Sequence, residues 1–98
     1  MTPQEAYWMA HKAGKRLPEL EHIILTDRCV AFTYAEKIIK GRWIEAEEII
    51  MKSAILSHWY ALDIIRGKLP DKMHNMMILR AIEDSNDWCV KAYFELIK

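Results

Sequence analysis

The chain is short of almost everything that names a chemistry. It holds two cysteines, Cys29 and Cys89, too few for a disulfide framework and in keeping with a reducing compartment. Its three glycines leave no Gly-rich loop to cradle a phosphate. It has no net charge: Lys plus Arg and Asp plus Glu stand at 14 each, which removes the electrostatic footprint of a general nucleic-acid binder. No apolar run approaches the roughly 20 residues that a membrane span needs. The opening Met1-Thr2-Pro3-Gln4-Glu5 lacks the basic and then apolar segments of a secretory leader, so a cytoplasmic protein is expected. Asn-Gly and Asp-Gly hairpin turns are absent, and apolar residues do not alternate. Strands are not expected.

Metal and nucleophile chemistry fare no better. His11, His22, His58, His74, Cys29 and Cys89 fall into no Cys-x-x-Cys, His-x-x-x-His or His-Glu-x-x-His spacing, so no metal and no other cofactor is expected. Cys29 and Cys89 each follow an aspartate near a helix start, where a thiol can be activated, but a small buried hydrophobe is the simpler use of both. Glu45, Glu47 and Glu48 read as a solvated helix face above Lys52. An enzyme is not expected.

What the chain does have is a repeat. Tyr34-Ala35-Glu36-Lys37-Ile38-Ile39-Lys40-Gly41 returns 26 positions later as Tyr60-Ala61-Leu62-Asp63-Ile64-Ile65-Arg66-Gly67. The register extends in both directions. Trp8 stands with Tyr34 and Tyr60, and Leu17 with Trp43 and Leu69. Three turns share one form: Arg16-Leu17-Pro18-Glu19, Arg42-Trp43-Ile44-Glu45 and Lys68-Leu69-Pro70-Asp71. Basic residues there meet the carbonyl end of one helix and acidic residues the amide end of the next. A unit of this length cannot bury its own apolar face, so copies must stack.

Capping signals divide the chain into seven helices. Thr2-Pro3-Gln4-Glu5 forms a capping box, and Gly14 supplies a left-handed stop. Pro18 begins a short helix, Asp27 caps a long one running to Gly41, and Ile44 leads a second short one. Ser53 caps a helix that ends before Gly67, Pro70 starts another, and Asp84-Ser85-Asn86-Asp87 separates it from the last. The expected fold is all-α, a short stack of helical hairpins with about seven helices, in a single domain over residues 1–98.

Two kinds of surface residue stand out. Lys40 and Arg42, with Arg66 and Lys68, fall on equivalent turns and would form a basic edge for a nucleotide or nucleic acid, although acidic neighbours cancel much of its field. Trp43 takes a register position that is Leu elsewhere, and Phe32 and Trp59 are expected to face outward beside Met51. Exposed Trp and Met are common anchors of a protein-binding surface. Trp8, Tyr34 and Tyr60 are expected in the core, with at least two of Met73, Met76 and Met77. An apolar content of 52% at zero net charge also favours self-association, and a homodimer is expected.

Tyr-Ala-x-x-Ile-Ile-Lys-Gly-Arg-Trp-x-Glu-Ala-Glu, from Tyr34 to Glu47, resembles a short tandem helical repeat found in uncharacterised proteins of tailed bacteriophages. Those copies commonly carry Pro where this chain has Ile44. The resemblance implies a phage-encoded helical protein working in the host cytoplasm, and it brings no catalytic residues with it. The expected function is a protein-interaction module that binds and inhibits a host protein, such as a defence factor. The alternative is an anion or nucleic-acid binder using the basic turns.

Overall fold

Thr2 opens the first helix in the way its sequence dictates. Its hydroxyl accepts from the Glu5 amide at 3.1 Å and its own amide donates to the Glu5 carboxylate at 2.9 Å, closing the capping box. In the computed structural model, which describes all 98 residues, seven helices follow and no strand is present. They are α1 (Pro3–Ala13), α2 (Pro18–Ile24), α3 (Arg28–Tyr34, continuing through Ala35–Ile39), α4 (Ile44–Ile50), α5 (Ala54–Trp59, continuing through Tyr60–Ile65), α6 (Asp71–Glu83) and α7 (Trp88–Leu96). The helices at Pro18 and Ile44 are short as expected, with 7 residues each, and α6 with 13 residues is longer than α7 with 9.

The caps fall where the sequence places them. Asp27 accepts from the amides of Cys29 and Val30, and Asp87 does the same for Cys89 and Val90. Ser53 accepts from Leu56. Each satisfies amides that a helix start leaves without a partner.

The chain divides into two compact units, Met1–Ile50 and Met51–Lys98. In the first, α1 packs on α2, and α3 packs on α1, α2 and α4. Its centre is Ala6, Ala10, Ile24, Ala31, Tyr34 and Trp43, with the Tyr34 and Trp43 rings 5.0 Å apart. In the second, α7 packs on both α5 and α6, around Tyr60, Leu69, Met73, Met77 and Tyr93. Small alanines let helices approach closely while a few large rings fill the remaining space.

The last turns of α3 and α5 are wound as π-helix. Lys40 N–H donates to Ala35 O at 2.8 Å, an i to i+5 bond, and Arg66 N–H reaches Ala61 in the same way. The following glycines add a second donor to those carbonyls, Gly41 at 3.3 Å and Gly67 at 3.1 Å. This moves the left-handed stop. Positive φ falls on Lys40 (59°) and Arg66 (60°), not on the glycines after them as the sequence suggested. Gly14, at the same register position 26 residues before Lys40, has φ 69°.

The winding also corrects the register of α1. A π turn uses one extra residue, and α1 ends without one. Its buried pair Ala6 and Ala10 therefore matches Ala31 and Ala35 at a spacing of 25, whereas Ala35 and Ala61 are 26 apart. Trp8 is rotated off the position that Tyr34 and Tyr60 occupy. It is 61% exposed and not part of the core.

Candidate interaction surface

Polar bonds fix the turns before any surface can be considered. At the α1–α2 turn, Arg16 clasps Glu21 with two bonds of 2.8 and 3.0 Å. Tyr34 donates its hydroxyl proton to Glu21 at 2.7 Å and accepts the amide of Leu17, the residue that caps α2, at 3.0 Å. The Arg16 guanidinium, followed by the Tyr34 hydroxyl, holds the Glu21 carboxyl below the usual carboxylate range against the cost of its partial burial. Burial, then the bond to Glu21, pushes the Tyr34 phenol up to about 12.

One repeat later Arg42 clasps the buried Glu47 at 2.7 and 3.1 Å. A third variant sits in the second unit. There the Tyr93 hydroxyl accepts the Leu69 amide at 3.0 Å and lies 2.6 Å from Nδ1 of His74, because the register position of Glu21 and Glu47 is Met73. Having accepted from Leu69, the phenol still has its own proton to give, which suits a histidine nitrogen as acceptor. Burial raises the Tyr93 phenol as well.

These bonds change the meaning of the basic turns. Arg42 is a structural partner of a buried carboxylate, which leaves less of its charge for a ligand. Lys40, Arg66 and Lys68 remain exposed, with Lys40 and Arg66 at the left-handed stops.

The proposed aromatic anchors divide. Trp43 is 2% exposed and packs on Tyr34, doing for its unit what the buried Leu69 does for the other, so its larger ring fills interior and not a surface turn. Phe32 and Met51 are also buried, which corrects the expected outward trio. Of the three, Trp59 alone is exposed, at 39%. Met73 and Met77 are core, as expected of two of the three methionines, and Met76 is half-buried.

Comparison with protein-family models, curated proteins and solved structures finds no match.

The exposed apolar residues of the second unit follow helical spacing. On α5 they are Ile55, Trp59 and Leu62, and on α6 they are Ile78, Leu79 and Ile82. Trp88 at the start of α7 is exposed and meets the His58 ring edge-on at 5.8 Å. The positions of α3 equivalent to Ile55, Trp59 and Leu62 are Cys29, Thr33 and Glu36. The repeat can therefore be built without an apolar face there. Sequence reasoning singled out Trp59 but missed Leu62, Ile78, Leu79 and Ile82, although their three- and four-residue spacings were readable.

In the first unit, Gln4, Tyr7 and Trp8 of α1 face Cys29, Val30 and Thr33 of α3 across a shallow open groove of about 210 Å³. Tyr7 and Trp8 meet edge-to-face at 5.4 Å on its rim. Cys29 is exposed and Cys89 is buried, where desolvation and then the Asp87 carboxylate push its thiol up, away from the reactive thiolate. No helix is long and apolar enough to cross a membrane.

Proposed function

We propose that this protein is a phage-encoded interaction module that binds a host protein in the cytoplasm and inhibits it, with the outward face of α5 as its principal contact. One observation carries the reading. Ile55, Trp59 and Leu62 are exposed at repeat positions where α3 uses Cys29, Thr33 and Glu36, so an apolar outer face is particular to α5 and is not required by the repeat. A tryptophan flanked by aliphatic side chains has the composition of a binding hot spot. The phage origin rests on the resemblance of Tyr34 to Glu47 to the phage repeat, and inhibition of a defence factor is the outcome expected of a small module without chemistry of its own.

The paired arginines favour this reading over anion binding, since Arg16 and Arg42 each already hold a carboxylate through two bonds. A salt series separates the two. Capture of a host protein should survive from about 50 to 500 mM salt, because apolar contacts are not screened. Binding through several phosphates would fall by orders of magnitude over that range. Steep loss with salt, with nucleic acid as the recovered species, would overturn the proposal.

A further inference from the structure

In the second unit a histidine, the residue type that titrates nearest neutrality, takes the place that a carboxylate holds in the first. Tyr34 donates to Glu21, which Arg16 clasps and holds low, so that pair stays charged at mildly acid pH. Tyr93 has no carboxylate to serve. Its hydroxyl accepts the Leu69 amide at 3.0 Å, and its own proton goes to Nδ1 of His74, 2.6 Å away. Burial raises the phenol, so Tyr93 keeps that proton across the neutral range. The bond needs a bare Nδ1, and therefore a neutral ring.

A second proton on the ring falls on Nδ1 and turns the acceptor into a donor. Leu69 and His74 then both aim an N–H at one phenol oxygen, and the Tyr93 proton is left without an acceptor at a residue that is fully buried. No carboxylate pairs with the imidazolium. Apart from Tyr93, no titratable group of α6, or of α7 and α5 that pack on it, makes a hydrogen bond or ion pair with the ring. These groups include Asp71 and Lys72 beside it on α6, Lys91 and Glu95 on α7, and His58, Tyr60 and Asp63 on α5. What meets the ring instead is α7 itself, through the Tyr93 and Phe94 rings at 5.7 and 5.8 Å.

We propose that His74 is the pin of an acid-sensitive latch: with a neutral ring it holds α7 on α6 through Tyr93, and with a protonated ring it lets α7 loosen while the first unit, clasped by Arg16 and Glu21, stays closed. The bond's contribution is present above the imidazole range and is lost as pH falls through it. Loosening uncovers Val90, Tyr93 and the Cys89 thiol, all buried while α7 is docked. The proposal does not depend on what the α5 face binds.

Amide hydrogen exchange of the full chain at about pH 7.5 and 5.5, with each rate divided by its intrinsic value at that pH, tests this. An imidazole in water takes its proton near pH 6.5, so a docked state that excludes the proton opens about tenfold more readily at the lower pH. Protection of the α7 amides from Lys91 to Phe94 should fall about three- to tenfold, and that of Ala31 to Ala35 in α3 should stay. His74→Asn puts a non-titrating oxygen within reach of the Tyr93 proton and should abolish the fall. Tyr93→Phe should lower α7 protection at both pH values and leave no further acid loss. The wild-type comparison decides the matter without either variant. Equal α7 protection at the two pH values, a fall shared by α3, or a fall undiminished in His74→Asn or Tyr93→Phe would overturn the proposal.

Discussion

Replacing Lys40 or Arg66 by glycine should make the protein more stable. Both residues hold φ near 60°, a conformation that costs an L-residue about 1–2 kcal/mol and glycine almost nothing. Against this gain stand the extra freedom glycine gives the unfolded chain, about 0.5–1 kcal/mol, and a few tenths of a kcal/mol from losing a cation at a helix carbonyl end. The net expectation is about +0.5 kcal/mol per site, or roughly 2–4 °C in Tm for a chain of this size. The neighbouring glycines provide the control. Gly41 and Gly67 are not left-handed, and a Cβ added at either meets nothing within 4 Å, so Gly41→Ala and Gly67→Ala should be neutral or mildly stabilising. Gly14→Ala, at the same register position as Lys40 but with φ 69°, should cost about 1 kcal/mol. Thermal and urea unfolding of the five variants gives a pattern of signs. Destabilisation by Gly41→Ala and Gly67→Ala together with no gain from Lys40→Gly and Arg66→Gly would refute the π-wound ends of α3 and α5.

Further outcomes follow from the same geometry. Tyr34→Phe removes the acceptor of the Leu17 amide and a donor to Glu21, and should cost about 1–3 kcal/mol in urea unfolding; Tyr93→Phe should lose a similar amount through Leu69 and His74. The Tyr34 phenol is raised in the folded state, so its contribution is present below the ordinary value near 10 and is lost as pH climbs towards about 12; Tyr34→Phe should flatten that alkaline limb of the stability profile. Glu21 is lowered, so its contribution is present above the ordinary carboxylate value and lost as pH falls through the folded one; Glu21→Gln should weaken the acid limb. Arg42→Ala should destabilise more than Arg16→Ala, because Glu47 is 8% exposed and Glu21 14%, and the more buried carboxylate is the costlier one to strand.

Much of the fold was legible because its signals are local. Thr2, Asp27, Ser53 and Asp87 announce helix starts through side chains that cap amides within three residues, and no distant contact overrides them. Tyr34 and Tyr60 announced the repeat because large rings buried at equivalent places constrain everything around them. The π turns were hidden. Ile-Ile-Lys-Gly and Ile-Ile-Arg-Gly read as helices stopped by glycine, and only the extra residue in the turn moves the left-handed position back by one. A sign of it lay in the register itself, since Gly14, Lys40 and Arg66 align while Gly41 and Gly67 do not align with Gly14. The surface was the least legible part. Trp43 is buried against Tyr34, a contact set by how the turn after α3 folds back, and exposure cannot be read from residue type. The spacing of the α5 and α6 faces is present in the sequence, but each helix also carries a buried face, and periodicity alone does not say which is which, so all but Trp59 went unread.

Trp59 and Leu62 bear most of the functional account, and one comparison addresses them directly. The tagged protein and its Trp59→Ala/Leu62→Ala variant would be isolated side by side from infected cells at about 300 mM salt, with the co-isolated species identified and helicity checked for both. The account predicts one host protein with the wild type and its loss with the variant at equal helicity. Equal recovery of that protein with both, or recovery of nucleic acid alone, would contradict it.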